Sequence, residues 1–380
     1  MLDDIGGSER DLVRGKLLLR ASDQTEALLS MTYADTTEGV NLVNGPDLSE
    51  RRATEVINAT DTEVMSYALT VTHEFSERLS LTSVTSYSDL DLKQAPIEET
   101  LSGGGLSSDV EAKDETLTQE FRLNYDGSDG KRAILGVYYN QFDEASQRTL
   151  RGSVAGSSFF RSDGYDNSFT NYAVFGEGEL ALSERWNLTL GARYDYEDSS
   201  RDENATTVLD PPLSFQPNAS TAFTGDASFG AFLPKVAATY SFSDSVNLSF
   251  VYQRAYRPGG ADIRPDTDEP VEFDPEYSNN YELAFRGLFL DGALSLSANA
   301  FYVDYTDMQI RVLLDPRNPV ARFIDNAGEA ELWGLEIESL WRPSPELSLY
   351  ASLGTAFSEL DDFLFPGENL KQKIIQFRKG

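Results

Sequence analysis

Apolar and polar residues alternate one by one along this chain, and this pattern constrains the fold more than any other feature. In residues 187–197, Leu188, Leu190 and Tyr194 occupy alternate positions, with polar or small residues between them. The same pattern recurs in three further segments, at 62–75, 116–125 and 331–341. Successive side chains of a β-strand point to opposite faces, so each segment has one apolar and one polar face. No stretch shows a comparable helical period, and the sequence therefore predicts an all-β fold.

Short and long connections join these predicted strands in alternation. The short connections are rich in turn-forming residues and lie at 22–25, 75–78, 126–130, 183–185, 243–245, 291–292 and 343–346. The long connections are rich in acidic and small polar residues and lie at about 35–61, 92–115, 145–167, 198–227, 258–279 and 311–330. Asp291-Gly292 is the strongest single hairpin signal. The arrangement predicts seven hairpins, and thus about fourteen antiparallel strands.

The length of the strands and the asymmetry of the connections indicate a membrane protein. Short turns at one end and long loops at the other are typical of an outer-membrane β-barrel, with short periplasmic turns and long extracellular loops. A strand needs about 9–11 residues to cross a bilayer, and residues 168–182 and 294–310 exceed that length. A soluble β-sandwich more often has shorter strands. We therefore predict an antiparallel transmembrane β-barrel in the outer membrane.

The composition argues against several classes of function. The net charge is -32, from 31 Lys and Arg against 63 Asp and Glu, which argues against nucleic acid as a partner. The absence of Cys and the single His remove thiol nucleophiles, Cys-based zinc sites and His-rich metal sites. Aromatic residues make up 11% of the chain, which argues against disorder despite the charge. We expect no metal site and no cofactor.

Aromatic residues lie near the ends of several predicted strands. Trp186 follows one short turn, and Trp341 precedes another. Rings with an apolar body and a polar tip suit the boundary between lipid and water. We predict that Trp186, Trp333 and Trp341 are membrane-interface residues. The alternative is that they are ordinary core aromatics beside turns.

Several segments resemble the strands of TonB-dependent outer-membrane receptors. They are TQEFRL at 118–123, WNLTLGARYDYE at 186–197, PKVAATY at 234–240, YQRAYRPGG at 252–260, PEYSNNYELAFR at 275–286, ANAFYVDYTDMQI at 298–310 and NAGEAELWGLEIE at 326–338. No one of these motifs is decisive, but their order and spacing together are specific. The resemblance covers about residues 14–360 and is to the barrel portion of siderophore receptors.

This resemblance implies a barrel of 22 strands closed by an N-terminal plug. It also implies uptake of a scarce ligand, typically an iron–siderophore complex, energised through the TonB complex. The chain departs from that pattern, since about fourteen strands are predicted and no plug domain precedes residue 14. We therefore expect a partial barrel at 14–360, a remnant of a loop or of a preceding region at 1–13, and an atypical tail at 361–380 that a frameshift would explain. Such a fragment would reach TonB only through the absent plug and would not import alone.

The start of one long loop carries the candidate ligand-binding residues Tyr252, Arg254, Tyr256 and Arg257. Arg can pair with an anionic chelate, and Tyr can stack or donate a hydrogen bond. Outward loops of a barrel meet a ligand first. The family resemblance implies that this extracellular partner is an iron chelate or another small ligand. The alternative is that this motif is a structural strand end shared across the family.

Other chemistry-bearing residues have ordinary structural explanations. His73 lies on an apolar strand face, and Gly259-Gly260 opens no helix and is interpreted as a flexible loop point. The acidic stretch 262–270 lacks the spacing of a calcium-binding loop. Glu336 and Glu338 are interpreted as lumen-facing residues rather than as a catalytic pair. We expect no enzyme, and the alternatives to a receptor barrel are an ungated porin and a soluble all-β binding protein.

Overall fold

The computed structural model describes residues 7–40, 58–101, 104–127, 130–154, 157–212, 218–264, 269–313, 322–365 and 368–369. Within these ranges the chain consists of β-strands and the turns between them. No helix in the described part of the chain is long and apolar enough to cross a membrane.

Seventeen strands are formed by the described residues. They are β1 (Ser8–Ser22), β2 (Thr25–Val40), β3 (Asn58–Ser76), β4 (Leu79–Leu101), β5 (Gly104–Asp126), β6 (Arg132–Val154), β7 (Ser157–Ala181), β8 (Trp186–Asp210), β9 (Ala219–Ser243), β10 (Val246–Arg257), β11 (Gly260–Arg264), β12 (Glu269–Phe273), β13 (Glu276–Phe289), β14 (Leu294–Leu313), β15 (Arg322–Ser344), β16 (Leu347–Phe365) and β17 (Glu368–Asn369).

The strands follow one another in space as they do along the chain. β1 to β10 and β13 to β17 form a single antiparallel sheet, and β11 and β12 form a separate hairpin. Fourteen strands of this sheet are long, and β17 adds two residues. The predicted all-β fold, with about fourteen antiparallel strands of a barrel, is confirmed.

All seven predicted short turns connect neighbouring strands, but the strands run far into most of the ranges predicted as long loops. β4 and β5 remain paired as far as Leu101 and Gly104, and β6 and β7 as far as Val154 and Ser157. These outer segments are polar on both faces, because both faces meet water there. Their polar composition led to the prediction of loops. Backbone hydrogen bonds between strands do not require an apolar face, so these segments nevertheless form strands. Residues 41–57 and 370–380, which include part of the predicted tail, lie outside the described residues.

Each long strand has two chemically different faces. On β8, Tyr194 and Tyr196 lie on an aromatic face and are 48% and 41% exposed. Arg193 and Asp195 point to the other side, where Asp195 is 3% exposed. We call these the outer and the inner face of the sheet. An apolar outer face and a polar inner face are the arrangement of a barrel that spans a membrane.

The sheet opens between β9 and β10 on the loop side. Pairing of these strands ends at Lys235 and Gln253, and the next residue of β9 is Pro234, which has no N–H to donate. The hairpin β11–β12 packs against the upper part of β9 and against β15. A Cβ on Gly225 of β9 would lie 2.9 Å from the Cβ of Ala261, so the hairpin covers the inner face there.

The described chain has few fully buried apolar side chains, and one small cluster of them involves Val271 of this hairpin. Ala231 and Leu209 are 1% and 2% exposed, and Val312 and Phe323 form a buried pair with Val271 and Ile310 beside them. The side chain of Asp262 ties β11 to β15 by accepting a hydrogen bond from the Ile324 N–H at 2.8 Å.

The first and last long strands lie at the two edges of the sheet. Among the described residues, β1 pairs with β2 alone, and β16 pairs with β15 and the short β17. Every residue of β1 is exposed except the half-buried Gly15.

Candidate functional site

A row of aromatic side chains crosses the outer face of five neighbouring strands. We call it the loop-side row, and it consists of Tyr252, Tyr281, Tyr302, Trp333 and Phe357, each opposite the next in the strand register. The ring centroids are 5.1 Å apart for Tyr252 and Tyr281 and 6.2 Å apart for Trp333 and Phe357. The row therefore places an aromatic side chain at the same level of five adjacent strands.

A second group of aromatic residues lies near the short turns on the same face. The ring centroids of Trp186 and Tyr240 are 4.9 Å apart, and the side chain of Trp341 is 42% exposed. Trp333 and Trp341 share one strand face and are about eight residues apart, close to the length of a membrane-crossing strand. The assignment of the three tryptophans to the membrane interface stays a prediction, and this spacing supports it.

The four predicted ligand-binding residues lie at the loop end of β10 and occupy four different environments. Tyr252 belongs to the loop-side row and donates a hydrogen bond to Asn279 Oδ1 at 3.1 Å. The guanidinium of Arg254 lies 4.0 Å from the ring centre of Tyr277. Arg257 is exposed and stands opposite Glu276 in the register. Their role in ligand binding is untested and stays a prediction.

Tyr256 approaches the inner face of the sheet at β7 and β8. Its hydroxyl interacts with the side chain of Asn171 and lies within electrostatic range of Asp195, Glu197 and Arg193. These partners belong to β7 and β8, so Tyr256 reaches beyond β9, the neighbour of β10 in the sheet. The opening between β9 and β10 allows this approach, because the loop end of β10 is free of β9.

Arg193 and Asp195 form the most buried ion pair that the described residues contain. Nε and Nη2 of Arg193 donate to the two carboxylate oxygens of Asp195, both at 2.7 Å. The Arg193 guanidinium also lies 5.1 Å from the ring of Tyr138 and 5.7 Å from that of Phe175. A paired carboxylate and two aromatic faces fix this arginine in place, so it contributes a rigid wall beside Tyr256.

Sequence reasoning did not single out Arg193, Asp195 or Asn171. The alternation in the segment 186–197 does place Arg193 and Asp195 at polar positions, which predicts that they share the polar face of that strand. Alternation places them on the inner face but does not say which strand returns to meet them. Only the three-dimensional path of β10 brings Tyr256 to this cluster.

Further toward the loops, the inner face carries a second polar group. Tyr165 donates to Glu144 Oε1 at 2.7 Å, and Asn167 Nδ2 donates to Glu144 Oε2 at 3.1 Å. Burial, followed by the hydrogen bond to Glu144, raises the pKa of Tyr165 to about 12. Burial also raises the pKa of Asp114, and the charge of Glu144 adds to this shift.

The remaining candidates have packing partners. His73 hydrogen-bonds Thr25 Oγ1 through Nδ1 at 2.8 Å and meets Phe75 edge-on at 4.7 Å. A Cβ on Gly259 would lie 2.3 Å from the carbonyl oxygen of Phe273, so close approach, rather than flexibility, explains this glycine. Within the described part of the chain, no group of three or more His, Cys, Asp or Glu is placed to hold a metal ion.

Glu336 and Glu338 line an inner-face recess of about 520 Å³. Its other lining residues include Glu282, Arg286 and Asn299. The two glutamates thus lie where the sequence placed them, on the polar wall.

Two curated relatives are receptors. The metal-pseudopaline receptor CntO of Pseudomonas aeruginosa is 24% identical over 327 residues, which cover 79% of this chain and 43% of the receptor. The pesticin receptor of Yersinia pestis is 28% identical over 189 residues, which cover 49% of this chain and 26% of the receptor. The chain therefore spans less than half the length of these relatives.

Two solved structures share the fold. The ferric yersiniabactin uptake receptor FyuA from Yersinia pestis superimposes with a TM-score of 0.75 and 18% identity, covering 96% of this chain and 54% of that one. The siderophore receptor PiuA from Acinetobacter baumannii gives a TM-score of 0.65 and 14% identity, covering 98% of this chain and 60% of that one.

A family model supplies the assignment. The model for the TonB dependent receptor-like, beta-barrel family matches residues 14–342. That range includes Trp186, Trp341, the loop-side row apart from Phe357, the ion pair of Arg193 and Asp195, and the loop end of β10. The chain belongs to the family of TonB-dependent receptor-like β-barrels of the outer membrane.

Proposed function

We propose that this chain forms the ligand-binding barrel of a receptor that takes up an iron–siderophore complex or a similar metal chelate. The observation that carries the proposal is the polar inner wall of β7, β8 and β10, on a sheet that matches the receptor family from residue 14 to 342. Relatives named for ferric yersiniabactin and for metal-pseudopaline support a metal chelate as the ligand. These relatives are receptors rather than enzymes, which supports a role without catalysis.

Arg254, Tyr256 and Arg257 are the residues we propose to contact the ligand, with Tyr252 beside them. Arg257 is exposed at the loop end of β10, where a guanidinium can pair with an anionic chelate. Tyr256 lies against the wall formed by Arg193 and Asp195 and offers a ring for stacking. Tyr252 also belongs to the loop-side row, where it donates a hydrogen bond to Asn279 Oδ1.

The test is equilibrium dialysis of the detergent-refolded chain against radioactive iron chelates. Ferric yersiniabactin, ferric citrate and iron-loaded pseudopaline are the probes. We expect one of them to bind, and Arg257→Ala to weaken that binding by about tenfold, as loss of a charge-assisted hydrogen bond predicts. Arg185→Ala, in the short turn before β8, is the matched control and leaves binding unchanged. Equal weakening by both variants would contradict a site at the loop end.

Energised import by this chain alone is not part of the proposal. The described residues form strands and turns only, and the chain covers 26–43% of the curated relatives named above. We infer that coupling to the TonB complex requires a plug domain, supplied within a longer protein or as a separate chain. Iron uptake by receptor-deficient cells should depend on co-expression of such a plug.

A porin remains the alternative from another functional class, because the polar inner face would also suit a diffusion channel. Conductance across a planar bilayer distinguishes the two. Steady conductance by the chain, together with no binding of any iron chelate, would favour the porin.

A further inference from the structure

We propose that two copies of this chain join into one closed barrel, in which β1 of each copy pairs with β16 of the other. The interaction surface is the two edges of the sheet, and the partner is a second copy of the chain. The inference goes beyond the proposed function, because it concerns assembly and does not depend on which ligand is bound.

Both edges of the sheet need a partner in a membrane. Among the described residues, β1 pairs with β2 alone and β16 with β15 and the short β17, so the sheet of one copy does not close on itself. Lipid offers no hydrogen-bond partner for the N–H and C=O groups of an open edge. Outward side chains at both edges are apolar, with Val13 and Leu17 each 65% exposed and Leu353 60% exposed. Both edges therefore lie at membrane depth, where an open edge is unstable.

The strand directions allow the two edges to pair with each other. β1 ends at the short turn 23–24, whereas β16 begins at the short turn 345–346, so the two strands run in opposite directions. Two copies inserted in the same orientation thus present β1 and β16 as antiparallel neighbours, the arrangement of outer-membrane barrels. Pairing of β1 with β1 of a second copy would instead be parallel and would bring like charges together.

Unpaired charges of opposite sign lie on the inner face near the two edges. Arg14 and Lys16 are exposed on the inner face of β1, and no hydrogen bond or ion pair joins their side chains to another described residue. Glu336 and Glu338 lie on the inner face of β15, one strand in from the other edge. Their side chains likewise have no such partner within the described part of the chain. The two edges are therefore complementary in charge.

The lengths of the edge strands bring these charges to one level. Lys16 lies six residues before the end of β1, and Ser352 lies five residues after the start of β16. With the short turns at the same height, Lys16 stands opposite Ser352 and Arg14 stands opposite Gly354. The inner and outer faces of the two strands coincide in this register. A small residue thus faces each cation across the interface.

The two carboxylates lie directly behind these small residues. Ser352 stands opposite Glu338 in the register, and Gly354 stands opposite Glu336. All four residues line the recess of about 520 Å³ described above. A Cβ on Gly354 would meet no atom within 4 Å, so the space above β16 is open. The recess can therefore accept the two cationic side chains of a second copy.

The chain already contains this arrangement within its own sheet. Glu177, Gly191 and Lys235 stand in register on β7, β8 and β9. Nζ of Lys235 donates to Glu177 Oε2 at 2.7 Å across the glycine. Two strand spacings amount to about 10 Å, which long charged side chains span when the residue between them is small. The order of cation, glycine and glutamate across the interface repeats this arrangement, with arginine in place of lysine.

Two copies are the smallest number of separate chains that satisfies both edges of each. Pairing of unlike edges either closes into a ring or continues into an open filament. Each copy contributes fourteen long strands, so a ring of two has an even total within the range known for outer-membrane barrels.

The first experiment measures the mass of the full chain, refolded in detergent, by analytical ultracentrifugation. We expect the mass of two chains. Arg14→Glu and Glu336→Lys each place like charges at the interface and should raise the dissociation constant of the dimer by about tenfold or more. An equal mixture of these two variants has opposite charges at both interfaces and should recover the dimer. Glu74→Lys is the matched control, because Glu74 is exposed on the inner face of β3, away from both edges.

The second experiment tests the register by disulfide formation, since the chain has no Cys of its own. Leu17→Cys and Ala351→Cys place thiols opposite each other on the outer face. Oxidation of a mixture of these two single variants should give a cross-linked dimer. Leu18→Cys mixed with Ala351→Cys is the control and should not cross-link, because the two thiols point to opposite faces.

Several results would overturn the proposal. A monomeric wild type, no recovery in the mixture of charge variants, or equal weakening by Glu74→Lys would each do so. In a chain that carries both cysteines, a cross-link within one chain would show self-closure, and a ladder beyond two chains would show open growth. Folding only with a separate polypeptide that supplies strands would show a different occupant of the edges.

A circular dichroism spectrum checks that each variant folds. If Arg14→Glu or Glu336→Lys does not fold, Lys16→Glu and Glu338→Lys form the second pair for the same test. Recovery of the dimer by neither mixture of variants would contradict the assignment of the two edges.

Discussion

At the scale of single residues, the turn between β13 and β14 contains an unfavourable backbone conformation. Leu290 and Asp291 both have φ of 55°, and Gly292 has φ of 85°. The N–H of Gly292 donates to the carbonyl of Phe289 at 3.1 Å, which closes the turn. Positive φ at both central residues is the type I′ pattern, but Leu290 rather than glycine occupies the first position. The N–H of Ala293 also donates to the carbonyl of Leu290 at 3.0 Å, so the predicted Asp291-Gly292 pair lies at the centre of a second, overlapping turn.

We expect Leu290→Gly to stabilise the folded chain by about 1 kcal/mol, because a left-handed conformation costs a side chain with a Cβ about that much. Leu290 is 64% exposed, so the variant loses little packing. The midpoint of urea unfolding in detergent measures the change. Gly292→Ala is the opposite control and should lower the midpoint. A Leu290→Gly midpoint at or below the wild-type value would argue against strain at this turn.

Asp114 makes the stability of the sheet depend on pH. Its pKa is raised in the folded chain, so the folded state binds the proton more tightly than the unfolded state. Its effect on stability is therefore neutral below the unfolded pKa near 3.8 and unfavourable above the raised folded pKa. We expect Asp114→Asn to unfold at higher urea than the wild type at pH 7, and the gap to close toward pH 3. A gap independent of pH would contradict this assignment.

At the scale of strands and hairpins, the hairpin β11–β12 covers part of the inner face of the sheet, where it packs against β9 and β15. It was not predicted, because each strand has five residues and the range 258–279 has the composition of a loop. The hairpin depends on a close approach, since a Cβ on Gly259 would meet the Phe273 carbonyl oxygen. Asn326 Nδ2 further binds the Asp274 carbonyl at 2.9 Å, just after β12.

We expect Gly259→Ala to displace the hairpin from β9 and β15 and to destabilise the chain by about 1–3 kcal/mol, the usual effect of overpacking. Hydrogen exchange of the β11 and β12 amides, read by mass spectrometry, should become faster. Gly354→Ala in β16 is the control, because no atom lies within 4 Å of the added Cβ. Unchanged protection of β11 in Gly259→Ala would show that the approach is not needed.

The contrast between turns and strand ends shows what a sequence of this kind can reveal. Turns such as Ser183–Arg185 have their own residue chemistry, and strand segments in lipid have an obligatory apolar face, so both were predictable. The outer parts of β4 to β9 have polar residues on both faces and resemble loops in composition. The contact of Tyr256 with Asn171 depends on the opening between β9 and β10, which no local pattern encodes.

At the scale of the whole molecule, the two faces of the sheet require different solvents. Large apolar side chains on the outer face, such as Phe232 at 58% and Val174 at 50% exposure, are stable there only in contact with lipid or detergent. We expect the refolded chain to show a strand-type circular dichroism spectrum in detergent micelles and to aggregate when the detergent is removed. A folded, monomeric species in plain buffer, judged by light scattering, would contradict the membrane assignment.

The distance between the two aromatic groups also determines how well different bilayers fit this protein. Eight residues at a rise of about 3.4 Å extend about 27 Å along a strand, and a strand tilt of about 40° reduces this to a height of about 21 Å. An average bilayer has a hydrocarbon thickness of about 30 Å, and the bacterial outer membrane is thinner than average. A thicker bilayer would have to thin locally around the sheet, at fractions of a kcal/mol per Å. Hydrophobic mismatch therefore favours residence of this chain in the thinner of the cell's membranes.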